Sequence, residues 1–343
     1  MSFNVVEEDR NALNGKAIRK QVVINLLGNE DGPKINMLIY LPAKLKKPAP
    51  LFLGLSFSPV HEVYPDKKII IHDEWDRRKT KTKIIPTEES RGTAKGWEID
   101  KCIDRGYGIA IIYYCDLEPD FIGGSKFGIK PYFYKKGQTE PAANEWGAIS
   151  QWAWGLRRGM DYLEKDKDVD SKRVIIVGHS RLGKSALWAG AQDKRFAAVV
   201  SSCSGEMGAA LARRDFGETV DTIGLKFPHW FCENFQKYKK HWNDLPVDSH
   251  MLISLIAPRP VFISTGSEDP WSDPKGQFLA AVAAGPVFRL LGKEDLGTVQ
   301  MPPLDAPIYN TLGFQIHKGI HAVLSEDWDK FLYFADKFVK NKD

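Results

Sequence analysis

The feature that most constrains the fold is a series of short β-rich segments, several of which are apolar at every position. Strands of this kind are covered on both faces, as in a mostly parallel sheet flanked by helices. The three segments before residue 60 are typical of antiparallel hairpins, whereas strands alternate with helices afterwards. The predicted strands are 20–28, 35–42, 50–57, 107–114, 172–179, 196–203, 259–266 and 313–317.

Helical periodicity is clearest between these strands. Apolar residues recur at spacings of three and four over 145–166. A second helix is predicted after Ser180. A third is predicted over 325–341, with Ser325 as its N-cap and acidic residues in its first turn, where the helix dipole favours negative charge. The alternation predicts an α/β sandwich.

The organisation of the chain favours a single domain over 1–343. Two segments, 58–106 and 204–250, fit no regular element. Because no internal repeat and no low-complexity linker sets them apart, we interpret both as long excursions from one scaffold. Ordered loops of this length usually shape a binding site.

Composition excludes several classes of protein. The net charge of +4 is small and scattered, so no nucleic-acid partner is expected. No apolar segment approaches the roughly 18 residues of a membrane span, so no membrane partner is expected either. The N-terminus lacks the pattern of a signal peptide, which predicts a cytosolic protein or a leader already removed. The four cysteines show neither C-x-x-C pairs nor metal-ligand spacing, so no zinc site and no disulfide framework are expected.

The segment VIIVGHSRLGKSALWAG, residues 174–190, is typical of a buried strand, a sharp turn and a helix. A nucleophilic serine needs this context, and Ser180 lies in the turn. The usual motif is G-x-S-x-G, but here Gly183 comes one position late and Leu182 takes the glycine's place. The helix must therefore cross its strand differently or bury Leu182 in the core. The alternative is that Ser180 is only a helix N-cap.

Two cations follow the serine. Arg181 and Lys184 lie in the first turn of the helix, where the helix dipole makes positive charge unfavourable. A tetrahedral oxyanion or a hydroxyl-rich substrate would offset these charges, and a surface salt bridge would do so as well.

The base of a serine hydrolase of the α/β type is expected on a loop after the final strand. The segment GFQIHKGIHAVLSEDW offers His317, at the end of the strand, and His321, after Gly319. His321 is favoured because a loop residue can turn its imidazole toward the serine without disturbing the strand. A structural role suits His317 better.

The acid is expected after the strand RPVFISTG, within SEDPWSDP. Glu268, Asp269 and Asp273 all qualify by composition. Asp269 lies where the chain leaves the strand and precedes Pro270, which fixes the turn. A carboxylate here would hold the histidine tautomer and stabilise the imidazolium, although an ordinary Asp-Pro turn is the alternative.

These motifs together resemble a known family. GHSRLGKSALWAGAQDKRFAAVVSSCSG, GETV, FPHWFCENF, LIAPRPVFIST, SEDPWSDP and the G-x-H before DW are similar, in that order, to the glucuronoyl esterases of carbohydrate esterase family 15, especially its bacterial branch. The resemblance covers roughly residues 90 to 340. It implies an α/β-hydrolase three-layer sandwich, a serine carboxylesterase, and chemistry that needs no metal and no organic cofactor.

The resemblance also implies roles for individual residues. Ser180 would be the nucleophile, His321 the base and Asp269 the acid. Arg181 would stabilise the oxyanion through its backbone N–H and its guanidinium. The residues that would contact the glucuronate ring are Lys184, Glu218 in GETV, and Trp271.

The chain departs from the family pattern at four places. Many members carry the acid as a glutamate where this chain has Cys203, whereas other bacterial members use an aspartate that matches Asp269. Fungal members flank the serine and histidine with a cysteine pair, and here His179 and Ala322 occupy those places, so no disulfide is expected. The loop 56–63 is also unlike the family.

The substrate implied by the resemblance is the ester between 4-O-methylglucuronate on xylan and a lignin alcohol, which implies a secreted or periplasmic enzyme. Two alternatives stay open. One is an acetyl-xylan esterase or another carbohydrate esterase on the same scaffold, because fold and triad do not fix the acyl group. The other is a carbohydrate-binding homologue without activity, which the thiol of Cys203 would suit.

Overall fold

The computed structural model describes residues 1–44 and 47–340. Its contacts divide the chain into two compact units. Unit 1 comprises residues 1–171 and 229–233, and unit 2 comprises residues 172–228 and the chain from 234 onward. The single domain expected over 1–343 stays a prediction.

Unit 1 is built on a mixed sheet. Its strands are β1 (Ser2–Asn11), β2 (Ala17–Asn25), β3 (Lys34–Pro42), β4 (Ala49–Ser56) and β7 (Gly108–Tyr113), with a separate hairpin of β5 (Glu74–Trp75) and β6 (Lys83–Ile84). The order β1-β2-β3-β7 is antiparallel throughout, and β4 runs parallel to β7. The expectation of antiparallel hairpins before residue 60 is therefore confirmed for β2 and β3 but wrong for β4, which is parallel to β7 and is connected to it by the long crossover 57–107.

The helices α2 (Ile99–Arg105) and α3 (Ala148–Leu163) cover this sheet. The short segment α1 (Ala12–Gly15) is a turn that joins β1 to β2, with left-handed backbone angles at Leu13 and Asn14. α2 packs against β3 and β7, and α3 packs against β2 and β4. The helix predicted over 145–166 is confirmed as α3, because its periodic apolar residues are all buried: Ile149, Trp152, Leu156, Met160 and Leu163.

The strand β1 has no counterpart in the sequence prediction. It pairs with β2 along one side and carries a register irregularity between Val5 and Glu7. Most of its side chains are partly or fully exposed, and many are polar. An edge strand of this kind lacks the continuous apolar run on which the prediction depends.

Unit 2 contains the strands β8 (Val169–His179), which enters the unit at Lys172, β9 (Ala198–Ser202), β10 (Val261–Gly266) and β11 (Leu312–His317). Each is parallel to the next, in the order β8-β9-β10-β11. Most of their residues are buried, as the apolar runs predict. Since the strands are parallel, their carboxyl ends meet at one edge, and the loops that leave this edge can bring side chains together.

The helices of unit 2 are α4 (Arg181–Gln192), α5 (Val220–Lys226), α6 (Ser249–Ser254), α7 (Pro274–Leu290) and α8 (Ser325–Ala335), which continues as a π-helical turn over Asp336–Lys340. α4 packs against β9, α7 against β10 and β11, and α8 against β10. This arrangement agrees with the predicted α/β architecture of mostly parallel strands and flanking helices.

Three details of the prediction are wrong. The segments 58–106 and 204–250 are not free of regular structure, because they contain β5, β6, α2, α5 and the start of α6. The helix α7 was not expected. Ser325 is the first residue of α8 rather than its N-cap, and the backbone N–H of Leu324 instead donates a 2.8 Å hydrogen bond to the carboxylate of Asp327.

Two findings bear on the expectations about membrane spans and disulfides. Within 1–44 and 47–340, no helix combines the length and the apolar character that crossing a membrane requires. The four cysteines are free thiols; Cys102, Cys115 and Cys203 are buried and Cys232 is partly exposed.

Candidate active site

Ser180 lies on a sharp turn between β8 and α4. Its backbone angles, φ 57° and ψ −129°, are outside the regions that L-residues normally occupy. Such strain costs about 1–3 kcal/mol and persists only where the surroundings hold it. Here the Ser180 N–H donates a 2.8 Å hydrogen bond to the carbonyl of Ser202. Ser180 occupies the N-cap position of α4, but its hydroxyl caps no backbone N–H of this described helix, so side-chain capping does not explain the serine.

The displaced glycine of the serine motif is accommodated by burial of Leu182, which is 1% exposed. This was one of the two arrangements expected from the sequence, and it is confirmed. The turn is so tight that a Cβ on Gly178 would lie 2.1 Å from the carbonyl oxygen of Leu182. The position before His179 therefore accepts only glycine.

His321 and Asp269 form a hydrogen-bonded pair in this unit. Asp269 follows β10, His321 follows β11, and the distance from His321 Nδ1 to Asp269 Oδ2 is 2.6 Å. The Asp269 side chain is 1% exposed and the His321 side chain 32% exposed. The carboxylate is thus enclosed, while the imidazole keeps a face that a substrate can reach.

The pKa of Asp269 lies below its ordinary value. Burial alone would raise this pKa, but hydrogen bonds from His321 and from Ser272 outweigh it. Ser272 donates both its backbone N–H, at 3.2 Å, and its hydroxyl to the same carboxylate. Asp269 is therefore held ionised and fixed in position, which is the state required of a residue that orients an imidazole.

The other acids considered in the sequence lie elsewhere. Glu268 is exposed. Asp273 is buried and pairs with Arg214, with 2.7 Å between Nε and the carboxylate. Among Glu268, Asp269 and Asp273, only Asp269 has a hydrogen bond to His321 in the part of the chain that the structure describes.

His317 occupies a different environment. It is buried at the end of β11, and its Nδ1 lies 3.1 Å from the carboxylate of Asp327. Burial lowers the pKa of His317, but the adjacent Asp327 more than offsets this, so the pKa is raised above its ordinary value. This enclosed ion pair agrees with the structural role expected for His317.

His179, next to Ser180 in the chain, packs against the His321 ring. The ring centroids are 4.7 Å apart and the planes are inclined at 49°. Burial, together with the nearby charge of His321, lowers the pKa of His179 to about 3. The neutral ring of His179 therefore packs against the imidazole of His321, and Ser180 is the next residue in the chain. The sequence identified His179 only as the place of a family cysteine.

Cys203 lies in the turn after β9, with a left-handed φ of 47°. A ligand-capable atom from each of Cys203, Asp269 and His321 lies within 4.8 Å of the other two. Burial and the charge of Asp269 raise the pKa of the Cys203 thiol to about 12. The thiol is thus uncharged, although it lies where a carboxylate could also approach His321.

The residues expected to contact the sugar are brought together. Lys184 Nζ donates a 2.6 Å hydrogen bond to Glu218 and a 2.7 Å bond to the carbonyl of Ser204, and both charged side chains are buried. The backbone N–H of Glu218 donates to the Trp271 carbonyl at 2.7 Å. The charge of Lys184 is therefore met by a buried carboxylate rather than by the surface salt bridge considered from the sequence.

Arg181 and Trp271 have aromatic and cationic neighbours. The Arg181 guanidinium lies 5.4 Å from the ring centre of Phe227. The ammonium of Lys226 lies 5.1 Å from the ring centre of Trp271. Both distances are typical of cation–π contacts.

Glu206 is a buried acid that the sequence analysis did not identify. It is 2% exposed, and its Oε1 has no hydrogen-bond partner among the described residues. Burial raises its pKa well above the ordinary value, and the charge of Lys184 only partly opposes this. Its position in the motif SGEMG, just after Cys203, is the signal that could have indicated it.

The chain is similar to several known proteins. A family model described as glucuronyl esterase, fungi, matches residues 132–292. The protein named carbohydrate esterase MZ0003, from an unknown prokaryotic organism, is 50% identical over 329 residues, which cover 95% of this chain and 76% of that protein.

Two solved structures are also similar. A glucuronoyl esterase from Solibacter usitatus is 47% identical, with a TM-score of 0.94 over 98% of this chain and 85% of that one. A promiscuous esterase of the same carbohydrate esterase family, from a marine bacterial metagenome, is 47% identical, with a TM-score of 0.89 and the same coverage. The chain therefore belongs to the glucuronoyl esterases of carbohydrate esterase family 15, which are carboxylic ester hydrolases of the α/β-hydrolase fold.

Proposed function

We propose that this esterase hydrolyses esters of 4-O-methylglucuronic acid on xylan through an acyl-enzyme on Ser180, with His321 as the base and Asp269 as the acid. The observation that carries the proposal is the environment of His321. Its Nδ1 is held by Asp269 at 2.6 Å, and its ring packs against His179, the neighbour of Ser180 in the chain.

The reaction follows from this arrangement. His321 takes the proton of Ser180 as the hydroxyl oxygen attacks the ester carbonyl, and Asp269 stabilises the imidazolium that forms. The imidazolium then gives its proton to the departing alcohol, which leaves the glucuronoyl group on the serine. A water molecule, deprotonated by the same imidazole, attacks this acyl-enzyme. The imidazolium then returns the proton to the Ser180 oxygen as the bond to the acyl group breaks, which releases glucuronic acid and restores the free serine.

The oxyanion would be stabilised at the beginning of α4. Arg181 is the first residue of this twelve-residue helix, and its backbone N–H lies at the end of the helix where the dipole is positive. The guanidinium adds a full positive charge to the same region. This agrees with the charge pattern noted in the sequence, because a developing oxyanion offsets cations that the helix dipole disfavours.

The glucuronate ring would bind at the group formed by Lys184, Glu218 and Trp271. A sugar presents hydroxyl groups that both donate and accept hydrogen bonds, and a buried ammonium–carboxylate pair offers both functions in fixed positions. The indole of Trp271 would supply an apolar surface for the ring face. The ester of a lignin alcohol is the proposed natural substrate. Since a polysaccharide cannot cross a membrane, we place the enzyme outside the cytoplasm.

The proposal is tested by comparing turnover of benzyl glucuronate with release of acetate from acetylated xylan. We expect a marked preference for the glucuronate ester. We expect Ser180→Ala to lower kcat on that ester by on the order of 10⁶, the loss seen when a nucleophilic serine is removed from a triad. Ser254→Ala is the matched control, because that hydroxyl donates to the His250 carbonyl in α6.

Two results would overturn the proposal. Normal turnover by Ser180→Ala would exclude the nucleophile. A clear preference for acetate would exclude the proposed substrate and favour the second candidate, an acetyl-xylan or broader carbohydrate esterase. This candidate is retained because one of the similar solved structures is described as a promiscuous esterase.

A further inference from the structure

We propose that Cys203, Asp269 and His321 form a binding site for a thiophilic divalent cation, with Zn²⁺ as the probe, and that its occupation inhibits the esterase. The inhibitory part of this inference rests on the proposed function. The site itself depends on a thiol that ester hydrolysis does not use.

The spacing of the three side chains suits a single ion. A ligand atom from each lies within 4.8 Å of the other two, and His321 Nδ1 is 2.6 Å from Asp269 Oδ2. Zinc bonds are about 2.0–2.3 Å long, which places tetrahedral ligand atoms about 3.5 Å from each other. Shifts of about an ångström or less in the side chains would therefore bring all three atoms onto one ion.

The donor set selects the kind of metal. A thiolate, an imidazole and a carboxylate are the ligands that Zn²⁺ takes in proteins, with water in an open fourth position. Mg²⁺ and Ca²⁺ prefer oxygen ligands and would not gain from the sulfur. Across residues 1–44 and 47–340, this is the one cluster of three such side chains close enough to share an ion.

The site is largely held in place and is open on one side. Asp269 is fixed by the backbone and hydroxyl of Ser272, and the Cys203 backbone N–H donates a 2.8 Å hydrogen bond to the carbonyl of Ser264. Cys203 and Asp269 are buried, whereas the His321 side chain is 32% exposed, which gives an ion access from that side. The backbone and the acid therefore need little rearrangement before binding.

Binding changes the protonation of the ligands. The Cys203 thiol gives its proton to solvent, because a coordinated thiol is held as the thiolate by the charge of the metal. If the metal takes Nδ1 of His321, that proton is also released and the contact with Asp269 is lost. If it takes Nε2, the lone pair that would accept the Ser180 proton is occupied. Either mode disables the base.

The experiment titrates metal-free enzyme with Zn²⁺ while turnover of benzyl glucuronate is followed. Cys203→Ala and Cys203→Ser are compared with Cys232→Ala, which removes the more exposed thiol, and circular dichroism checks that each variant folds. In parallel, Cd²⁺ is added and the ultraviolet thiolate-to-metal charge-transfer band is recorded. This second readout does not depend on turnover.

We expect inhibition of the parent enzyme, with the inhibitory Zn²⁺ concentration raised at least about 10-fold in both Cys203 variants, since even loss of a residue behind a ligand costs 10–100-fold. Cys232→Ala should match the parent. The Cd²⁺ band should be present in Ser180→Ala and absent without Cys203.

Equal inhibition with and without Cys203, or a Cd²⁺ band that does not require it, would overturn the metal site. Normal turnover by Ser180→Ala would instead overturn the proposed reaction and leave the Cd²⁺ result to decide the metal site by itself.

Discussion

Two histidine–aspartate pairs lie in the same unit and differ in one respect that decides their use. His321 is paired with Asp269 at 2.6 Å, and its side chain is 32% exposed. His317 is paired with Asp327 at 3.1 Å, and both side chains are enclosed. The exposed ring of His321 is accessible for the proton transfer that the proposed reaction requires, whereas the enclosed ring of His317 suits a structural role.

The comparison also shows how each aspartate is used. The carboxylate of Asp269 accepts hydrogen bonds from His321 and from the nearby Ser272. Asp327 accepts from Gln315 at 2.7 Å and from the backbone N–H of Leu324 at 2.8 Å, so it connects β11 to the start of α8. Removal of either carboxylate should therefore produce a different defect, in turnover for one and in stability for the other.

The largest expected effect is that of Asp269→Asn. The amide can donate a hydrogen bond to Nδ1 of His321 and so favour the wrong tautomer, which lowered turnover by about 10⁴ in a serine protease triad. We expect a loss of that order in kcat on benzyl glucuronate, with circular dichroism unchanged. If turnover stays within a small factor of the parent value, Asp269 is not the acid.

The next effect is that of Asp327→Asn. The NH₂ group of the asparagine would face the N–H donor of Leu324 or of Gln315, so one of these hydrogen bonds is lost. The negative charge opposite the buried His317 is lost as well. We expect the free energy of unfolding to fall by about 3 kcal/mol, as when a buried pair is broken. Urea unfolding measures this, and kcat at a temperature where the variant is folded is the control. A collapse of kcat without loss of stability would reverse the roles of the two pairs.

The His317–Asp327 pair also predicts how the free energy of unfolding depends on pH. The pKa of His317 is raised in the folded protein, so its pairing with Asp327 stabilises the folded state. This stabilisation is fully present below about pH 6.5, the ordinary imidazole pKa, and it is lost as the pH rises through the raised pKa. The difference in unfolding free energy between the parent and His317→Gln should therefore shrink from acidic to alkaline pH. A constant or growing difference would contradict the assigned ion pair.

The smallest effect is expected for Cys203→Ser. The thiol lies close to His321 and Asp269, but it is uncharged because burial raises its pKa to about 12. Replacing one neutral group by another should leave kcat within about fivefold, equivalent to about 1 kcal/mol. A far larger loss would mean that the turn after β9 still supplies a catalytic group.

Much of the site could be predicted from sequence because its elements are local. The apolar strand, the turn with Ser180 and the following helix occupy consecutive residues, and the positions of Asp269 and His321 follow from the order in which parallel strands end. Burial of Leu182 was one of two arrangements that the displaced glycine allowed, and the structure shows that one. The roles of these residues in catalysis stay predictions until the variants are measured.

Other features depend on contacts between distant parts of the chain. Glu218 lies 34 residues from Lys184, and nothing in either motif indicates that the two form a buried pair. Glu206 is unusual only because burial leaves an oxygen without a partner in the described chain. The helix α7 escaped prediction because Pro286 lies inside it and small residues leave no clear polar face.

The central claim is that Ser180 is a nucleophile activated by His321. It is tested most directly by reacting the parent enzyme, Ser180→Ala and His321→Ala with a fluorophosphonate ester and locating the added mass by peptide mass spectrometry. We predict a single modified peptide containing Ser180, no modification of Ser180→Ala, and much slower modification of His321→Ala. Modification at another residue, or an unchanged rate without His321, would contradict the claim.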